Sequence, residues 1–96
     1  MKMQVESTPE FRVWLASLNK DEQIKIKDRV VRIREEGHLG DFKSLGDGLL
    51  EMRWRNGWRI YFMKQNKILI LILIGGLKND QKADIKKARA MLGRYS

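Results

Sequence analysis

Three arginines lie close together in the segment EMRWRNGWRIYF, residues 51–62, where two tryptophans and a tyrosine surround an Asn-Gly pair. An arginine guanidinium binds phosphate through paired hydrogen bonds and keeps its charge at physiological pH. Arginines gathered on one surface could therefore bind a phosphodiester and stabilise the negative charge that develops on it during attack. Whether they gather depends on how the strands on either side of the Asn-Gly pair are registered.

The pairing of this segment has two alternatives. A two-residue turn at Asn56 and Gly57 would place Arg53 opposite Ile60, and both faces of the hairpin would mix charged and apolar side chains. A three-residue loop would place Arg53 opposite Arg59 and leave the other face wholly apolar. Because burying charged groups costs more than a less favoured turn, we predict the second register. The polar face then carries the following side chains: Glu51, Arg53, Arg59 and Tyr61, with Arg55 at the rim.

Two directly opposed arginines destabilise a sheet unless an anion lies between them. That anion is either Glu51, which would make this an ordinary solvated surface, or a bound phosphate. Lys78 favours the phosphate, because it follows the sequence LIGG, whose glycines let a ligand approach the backbone. Lys43, in the preceding segment, is a further candidate.

Capping signals delimit the helices that flank these strands. Thr8 is the expected cap of a first helix, and Asn19 or Lys20 that of a second helix, which should end at Gly37. Apolar residues recur at helical spacing in both segments, so we expect a helical hairpin with one face on a sheet. Asp80 is the expected cap of a last helix.

The remaining segments supply the strands. We predict a short strand in residues 2–7, a glycine-rich loop in residues 38–48, and strands in residues 49–54, 58–64 and 67–74. The last strand is apolar on both faces, which is typical of an interior strand covered on both sides. The predicted fold is α+β in the order βααβββα: one domain, residues 1–96, whose antiparallel-rich sheet packs with the helical hairpin and a C-terminal helix.

Composition limits the classes of partner and site that the chain can have. The 96 residues include 20 Lys and Arg against 12 Asp and Glu, a net charge of +8, which suits a polyanionic partner. The chain has no cysteine, a single histidine and no glycine-rich phosphate loop. We therefore expect no metal site and no cofactor. The longest apolar run is far shorter than the roughly 20 residues that span a bilayer. With no signal peptide recognised at its start, we expect a cytoplasmic protein without a membrane partner.

The segments FKSLGDGLLEMRWRNGWRIYF, residues 42–62, and LIGGLKNDQKADIKKARAM, residues 73–91, resemble the RelE/ParE superfamily of bacterial toxins. They are most similar to its HigB-like, phage-derived branch of addiction-module killer proteins. The resemblance implies a RelE-like fold and a toxin of a type II toxin–antitoxin module. It also implies a cognate antitoxin, expected to be a helix-turn-helix protein from the adjacent gene, and binding of operator DNA through the toxin–antitoxin complex.

Members of the RNase branch cleave messenger RNA on the ribosome without a metal. The 2′-OH attacks the adjacent phosphate and leaves a 2′,3′-cyclic phosphate. Carried over to this chain, the resemblance implies that Arg59 and Arg53 stabilise the phosphate and that Lys78 contacts it or protonates the leaving group. The implied substrate-binding residues are Lys43, Arg55 and Tyr61.

Two other functions remain open. ParE-like relatives poison DNA gyrase and cut no RNA, and a relative without toxicity would act only as a regulatory or nucleic-acid-binding module. The set of Arg53, Arg59 and Lys78 favours the endoribonuclease. The general base is not assigned, because the last helix carries no clear acid–base residue where some RNase members have a tyrosine or a histidine.

Overall fold

The structure is a computed structural model that describes residues 2–66 and 69–95. Its strands are β1 (Gln4–Ser7), β2 (Phe42–Gly46), β3 (Leu49–Arg53), β4 (Trp58–Lys64) and β5 (Leu69–Leu77). They form one sheet in the order β1-β5-β4-β3-β2. β1 is parallel to β5, and the other neighbouring strands are antiparallel. β4 therefore lies at the centre of the sheet and forms the arginine-bearing hairpin with β3.

The helices are α1 (Pro9–Ala16), α2 (Lys20–Glu36) and α3 (Gln81–Tyr95). Thr8 caps α1, and Asn19 caps α2 through a reciprocal pair of hydrogen bonds with Glu22. Gly37 ends α2 in the left-handed conformation, with φ of 70°. These three predicted boundaries are confirmed. α3 begins at Gln81, directly after the expected cap residue Asp80, which is itself the last residue of a 3₁₀ turn.

The sheet has a helical layer on each face. The α1/α2 face buries Met52, Ile60 and Phe62 against side chains from both N-terminal helices. The α3 face buries a second cluster, in which Leu49 and Met63 pack with side chains of the last helix. Buried apolar residues of β5 belong to both clusters, so the prediction of an interior strand covered on both sides is confirmed.

One predicted loop was wrong in part, because residues 38–48 contain the edge strand β2. Most of its side chains are exposed, so the strand shows no burial pattern from which it could be predicted. Its glycine and lysine are typical of edge strands that resist further pairing. The predicted strand at residues 67–74 begins at two residues, Lys67 and Ile68, that lie outside the described residues; β5 is described from Leu69 and continues to Leu77.

The α+β class, with two helices before the main strands and one after them, is confirmed. The observed order is βααββββα, one strand more than predicted. Within residues 2–66 and 69–95, none of the helices combines the length and the apolar character needed to cross a membrane.

Candidate functional site

The hairpin between β3 and β4 has the register that the burial pattern predicted. Arg53 pairs with Arg59, and Met52 pairs with Ile60 on the opposite face. The loop has three residues, and Gly57 adopts a φ of 104°, which favours glycine. The two arginines therefore project from the same face of the sheet, and the apolar partners face α1 and α2.

A row of four residues crosses the sheet at this level. Arg53 lies between Asp41 and Arg59. Its backbone N–H donates to the carbonyl oxygen of Asp41 at 3.0 Å, and on its other side it pairs with Arg59. Arg59 in turn pairs with Gly76 of β5. We call Asp41, Arg53, Arg59 and Gly76 the arginine row. Gly76 has no side chain, and the space above it is occupied by the side chain of Asp84 from α3.

Neither guanidinium is fully satisfied by protein groups. Arg53 forms an ion pair with Asp41, with 2.9 Å between Nη2 and Oδ1, and its side chain is 37% exposed. Nη1 of Arg59 donates to the carbonyl oxygen of Trp58 at 3.1 Å. The Nε atoms of both arginines are buried and have no hydrogen-bond partner among the described residues. Because a buried donor without a partner costs about 1–3 kcal/mol, both side chains would gain from a movement that brings these donors to an acceptor.

Glu51 does not neutralise these arginines. Its side chain is only 1% exposed and lies one pair below the row, opposite Tyr61. One of its carboxylate oxygens accepts a hydrogen bond from Nε2 of Gln81 at 2.8 Å, which ties β3 to the start of α3. The alternative in which Glu51 balances the two arginines is therefore not the observed arrangement. The carboxylate that forms an ion pair with Arg53 is Asp41.

Tyr61 is fully buried below the row, in the cluster under α3. Burial, followed by the neighbouring negative charge of Glu51, raises the pKa of Tyr61 well above its ordinary value. The phenol therefore stays neutral at physiological pH. In this arrangement its ring is not exposed, and a base could stack on it only after α3 had moved.

Lys78 lies next to the row. It is the first residue of the 3₁₀ turn after β5 and is exposed. A Cβ added to Gly57 would lie 3.6 Å from the Cβ of Lys78, so the hairpin loop and this turn are in contact. The structure thus brings Arg53, Arg59 and Lys78 to the same end of the sheet.

The other two candidates lie at the margins. Lys43 is exposed on β2, where it pairs with Glu51 and so lies on the α3 face, one pair below the row. Arg55 is exposed in the hairpin loop and has no ion-pair or hydrogen-bond partner in the described part of the chain. Both are available to a bound anion, but neither is held in place by protein contacts.

Arg29 of α2 was missed by the sequence reasoning. Its guanidinium donates to the carbonyl oxygens of Leu39, Asp41 and Arg53 at 2.5–3.2 Å and lies 4.2 Å from the centre of the Trp54 ring. Burial lowers the pKa of Arg29. The side chain fixes the end of β3, from which the row projects. Its only sequence signal is a basic stripe on α2 at helical spacing, formed by Lys25, Arg29 and Arg32.

Asp84 was also not predicted. A Cβ on Gly76 would lie only 1.9 Å from its Oδ2, so an alanine at this position would force the carboxylate to move. Oδ2 is buried and has no hydrogen-bond partner among the described residues. Burial raises the pKa of Asp84, and the nearby Asp80 raises it further. This carboxylate lies over the strand position that pairs with Arg59.

Comparison with known proteins gives a sequence relative of this chain. A scan against models of protein families gave no match. A Haemophilus influenzae protein, described as uncharacterized, is 38% identical over 94 residues, which are 95% of this chain and 94% of that protein. The chain belongs to the same family as this protein.

Solved structures define the fold. The free RelE toxin of E. coli, in a mutant form, has a TM-score of 0.71 at 13% identity and covers 92% of this chain and 94% of its own. The RelBE2 toxin–antitoxin complex of Mycobacterium tuberculosis has a TM-score of 0.67 at 18% identity, covering 80% and 99%. The RelE–RelB complex of Pyrococcus horikoshii has 0.67 at 20% identity, covering 81% and 97%. The chain therefore has a RelE-like fold, as predicted.

Proposed function

We propose that the protein is the toxin of a type II toxin–antitoxin module and acts as a metal-independent endoribonuclease on messenger RNA at the ribosome. The observation that carries the proposal is the arginine row: two arginines face each other on adjacent strands, and each has a buried donor without a protein partner. A phosphodiester would neutralise their repulsion and accept hydrogen bonds from the two guanidinium groups.

The proposed reaction needs charge stabilisation more than it needs a nucleophile from the protein. The 2′-OH of the RNA attacks the adjacent phosphorus, the bond to the 5′-oxygen of the next nucleotide breaks, and a 2′,3′-cyclic phosphate forms. Arg59 and Arg53 would bind the nonbridging oxygens as their charge grows. Lys78, next to the row, would contact the phosphate or donate a proton to the leaving oxygen. The general base stays unassigned.

The marginal cations would extend the site along the RNA. Lys43 and Arg55 lie on opposite sides of the row, one pair below it and in the loop beyond it. They are proposed as substrate contacts. A role for Tyr61 in stacking would depend on displacement of α3, since its ring is buried in the present arrangement.

A cognate antitoxin is part of the proposal. Several structures with this fold are complexes of a RelE toxin with a RelB antitoxin. In this chain an apolar groove of about 380 Å³ lies between α1, α2 and β1 and includes Phe11, Leu15 and Val30. It offers a surface on which an antitoxin segment could bury apolar side chains. The antitoxin is expected to be a helix-turn-helix protein that contacts operator DNA. The closeness to the HigB-like branch, which rests on the sequence motifs, stays a prediction, as does a cytoplasmic location.

Arg59→Ala tests the proposal. Loss of one charge-stabilising donor at an oxyanion typically lowers the rate by about 10²–10³-fold. We expect that loss in cleavage of ribosome-bound transcripts, measured by mapping new 5′ ends after brief expression, while the affinity for the antitoxin is retained. Lys86→Ala, an exposed charge on α3, is the matched control and should cut like the wild type.

The same experiment distinguishes the competing functions. Intact transcripts together with double-strand DNA breaks would refute the endoribonuclease and assign a gyrase poison instead. Expression without growth arrest and without either lesion would show a protein that has lost toxicity. Equal cleavage by the wild type and Arg59→Ala would show that the arginine row is not the catalytic site.

A further inference from the structure

A cationic cavity of about 720 Å³ adjoins the arginine row, and the reaction proposed above uses only Arg53 and Arg55 of its lining. It lies between α2, the segment that leads into β2, and the end of β3. Five basic and two acidic side chains line it, together with Trp54 and His38. Asp41 and Arg53 line the cavity and also belong to the row, so the two surfaces are continuous.

Most of the positive charge in this cavity is free. Lys25, Arg32 and Arg55 are exposed, and none has an ion-pair or hydrogen-bond partner in the described part of the chain. Of the two carboxylates, Asp41 is already paired with Arg53. Exposed like charges that converge on a concave surface raise the local concentration of anions. The cavity therefore attracts a polyanion, because most of its cations are not neutralised by carboxylates of the protein.

Arg29 gives the cavity a rigid wall. Three backbone carbonyl groups hold the edge of its guanidinium, and Trp54 packs against the group at 4.2 Å. A Cβ on Gly40 would lie 3.2–3.4 Å from the guanidinium, so glycine at this position lets the backbone lie close against the group, which also lines the cavity. A fixed guanidinium plane is a surface on which unpaired RNA bases stack.

We propose that this cavity binds the single-stranded RNA segment next to the bond that is cut, with Lys25 and Arg32 on its phosphates and Arg29 as a stacking surface. The inference rests on the proposed function, because it uses the arginine row as the position of the cleaved phosphate. Single-stranded RNA fits better than an acidic peptide because the cavity combines phosphate-binding cations with a planar surface for a base. The strand would pass Arg55 and Arg53 between the two surfaces.

The test compares two double variants that each remove two positive charges. Lys25→Ala/Arg32→Ala changes the cavity. Lys82→Ala/Lys86→Ala is the control, on the solvent side of α3, because Asp84 contacts the sheet and these lysines lie two residues to either side of it. All four side chains are exposed and free of ion pairs in the described chain, so both variants should fold.

The measurement is the affinity for a labelled RNA of about 12 nucleotides, followed by fluorescence anisotropy over a range of salt concentrations. The RNA carries 2′-O-methyl groups, which replace the attacking hydroxyl and prevent cleavage. We expect the cavity variant to bind about tenfold more weakly and its salt slope to fall by about 1.4, the value for two lost phosphate contacts on a single strand. The control should stay within about twofold of the wild type, and a dinucleotide should bind equally to all three proteins.

Three outcomes would overturn the inference. Equal losses in both double variants would show only a general effect of charge. Unchanged RNA affinity in the cavity variant, with weaker binding of the purified antitoxin, would assign the cavity to an acidic protein segment. A loss that is the same for the dinucleotide would place Lys25 and Arg32 at the cleaved phosphate. Failure of the proposed function is separate: the wild type would then bind the methylated RNA but leave ribosome-bound transcripts uncut.

Discussion

The two faces of the β3–β4 hairpin are made by alternate residues of the same strands, yet they serve different purposes. On the α1/α2 face, Met52, Ile60 and Phe62 are completely buried. On the α3 face, burial increases along the strands. The arginines are half-buried, Glu51 and Tyr61 are buried, and the apolar cluster beneath α3 follows. The difference follows from coverage: two helices cover the first face, whereas one helix covers only the lower part of the second.

This contrast separates stability from binding. Apolar burial stabilises a fold in proportion to the area removed from water, so the fully covered face should dominate the free energy of unfolding. The arginine row adds repulsion between Arg53 and Arg59 and unpaired donors, which a stable sheet does not need. A feature that weakens the isolated protein is best explained by a ligand that it binds.

Phe62→Ala should have the largest effect on stability. Removing a buried phenylalanine side chain costs about 3–5 kcal/mol, which is a large part of the stability of a small domain. Arg59→Ala, three residues away on the other face, removes a repulsive and incompletely paired guanidinium and should not lower the free energy of unfolding. Urea unfolding of both variants measures the comparison, and similar midpoints would show that the two faces do not differ in this way.

Adjacent glycines of β5 give a finer test, because each faces a different helix. A Cβ on Gly75 would lie 2.4 Å from the Trp14 ring of α1, and one on Gly76 would lie 1.9 Å from Asp84 of α3. The packed ring has little room to move, so Gly75→Ala should lower stability by about 1–3 kcal/mol. The carboxylate can rotate away, so Gly76→Ala should cost less than about 1 kcal/mol.

The two glycine variants should also differ in function. Gly76→Ala puts a methyl group beside Arg59. It should reduce the rate of RNA cleavage by more than its small loss of stability explains. Gly75→Ala should affect activity only as far as it unfolds the protein. The reverse order of stabilities in thermal unfolding would contradict the assignment of the two faces.

Tyr61→Phe should have a small effect that appears only at alkaline pH. Burial and the charge of Glu51 raise the pKa of Tyr61 in the folded protein above the value of about 10 expected in the unfolded chain. Above that unfolded pKa, the unfolded state has lost a proton that the folded state keeps. The free energy of unfolding therefore falls as pH rises, by up to about 1.4 kcal/mol per pH unit from this group.

The phenylalanine variant lacks this ionisation, so its free energy of unfolding should fall less steeply above pH 10. Urea titrations at several pH values give both slopes. A difference between the two proteins that is constant from neutral to alkaline pH would show that Tyr61 does not titrate in this way.

Much of the fold was predictable because its signals are local. Thr8, Asn19 and Gly37 mark helix ends through hydrogen bonds and backbone angles that involve only nearby residues. The hairpin register followed from the same kind of information, since only one pairing separates the apolar side chains from the arginines. The strand β2 escaped prediction because an exposed edge strand has no burial pattern.

The sequence by itself determined which side chains share a face of the hairpin and therefore that Arg53 and Arg59 lie together. Only the tertiary structure decided that α3 buries Tyr61 and Glu51, that Asp41 pairs with Arg53, and that Arg29 reaches from α2 to the end of β3. The physical reason is range. Alternation and caps are set within one element or one hairpin, whereas coverage and ion pairing depend on where distant elements pack.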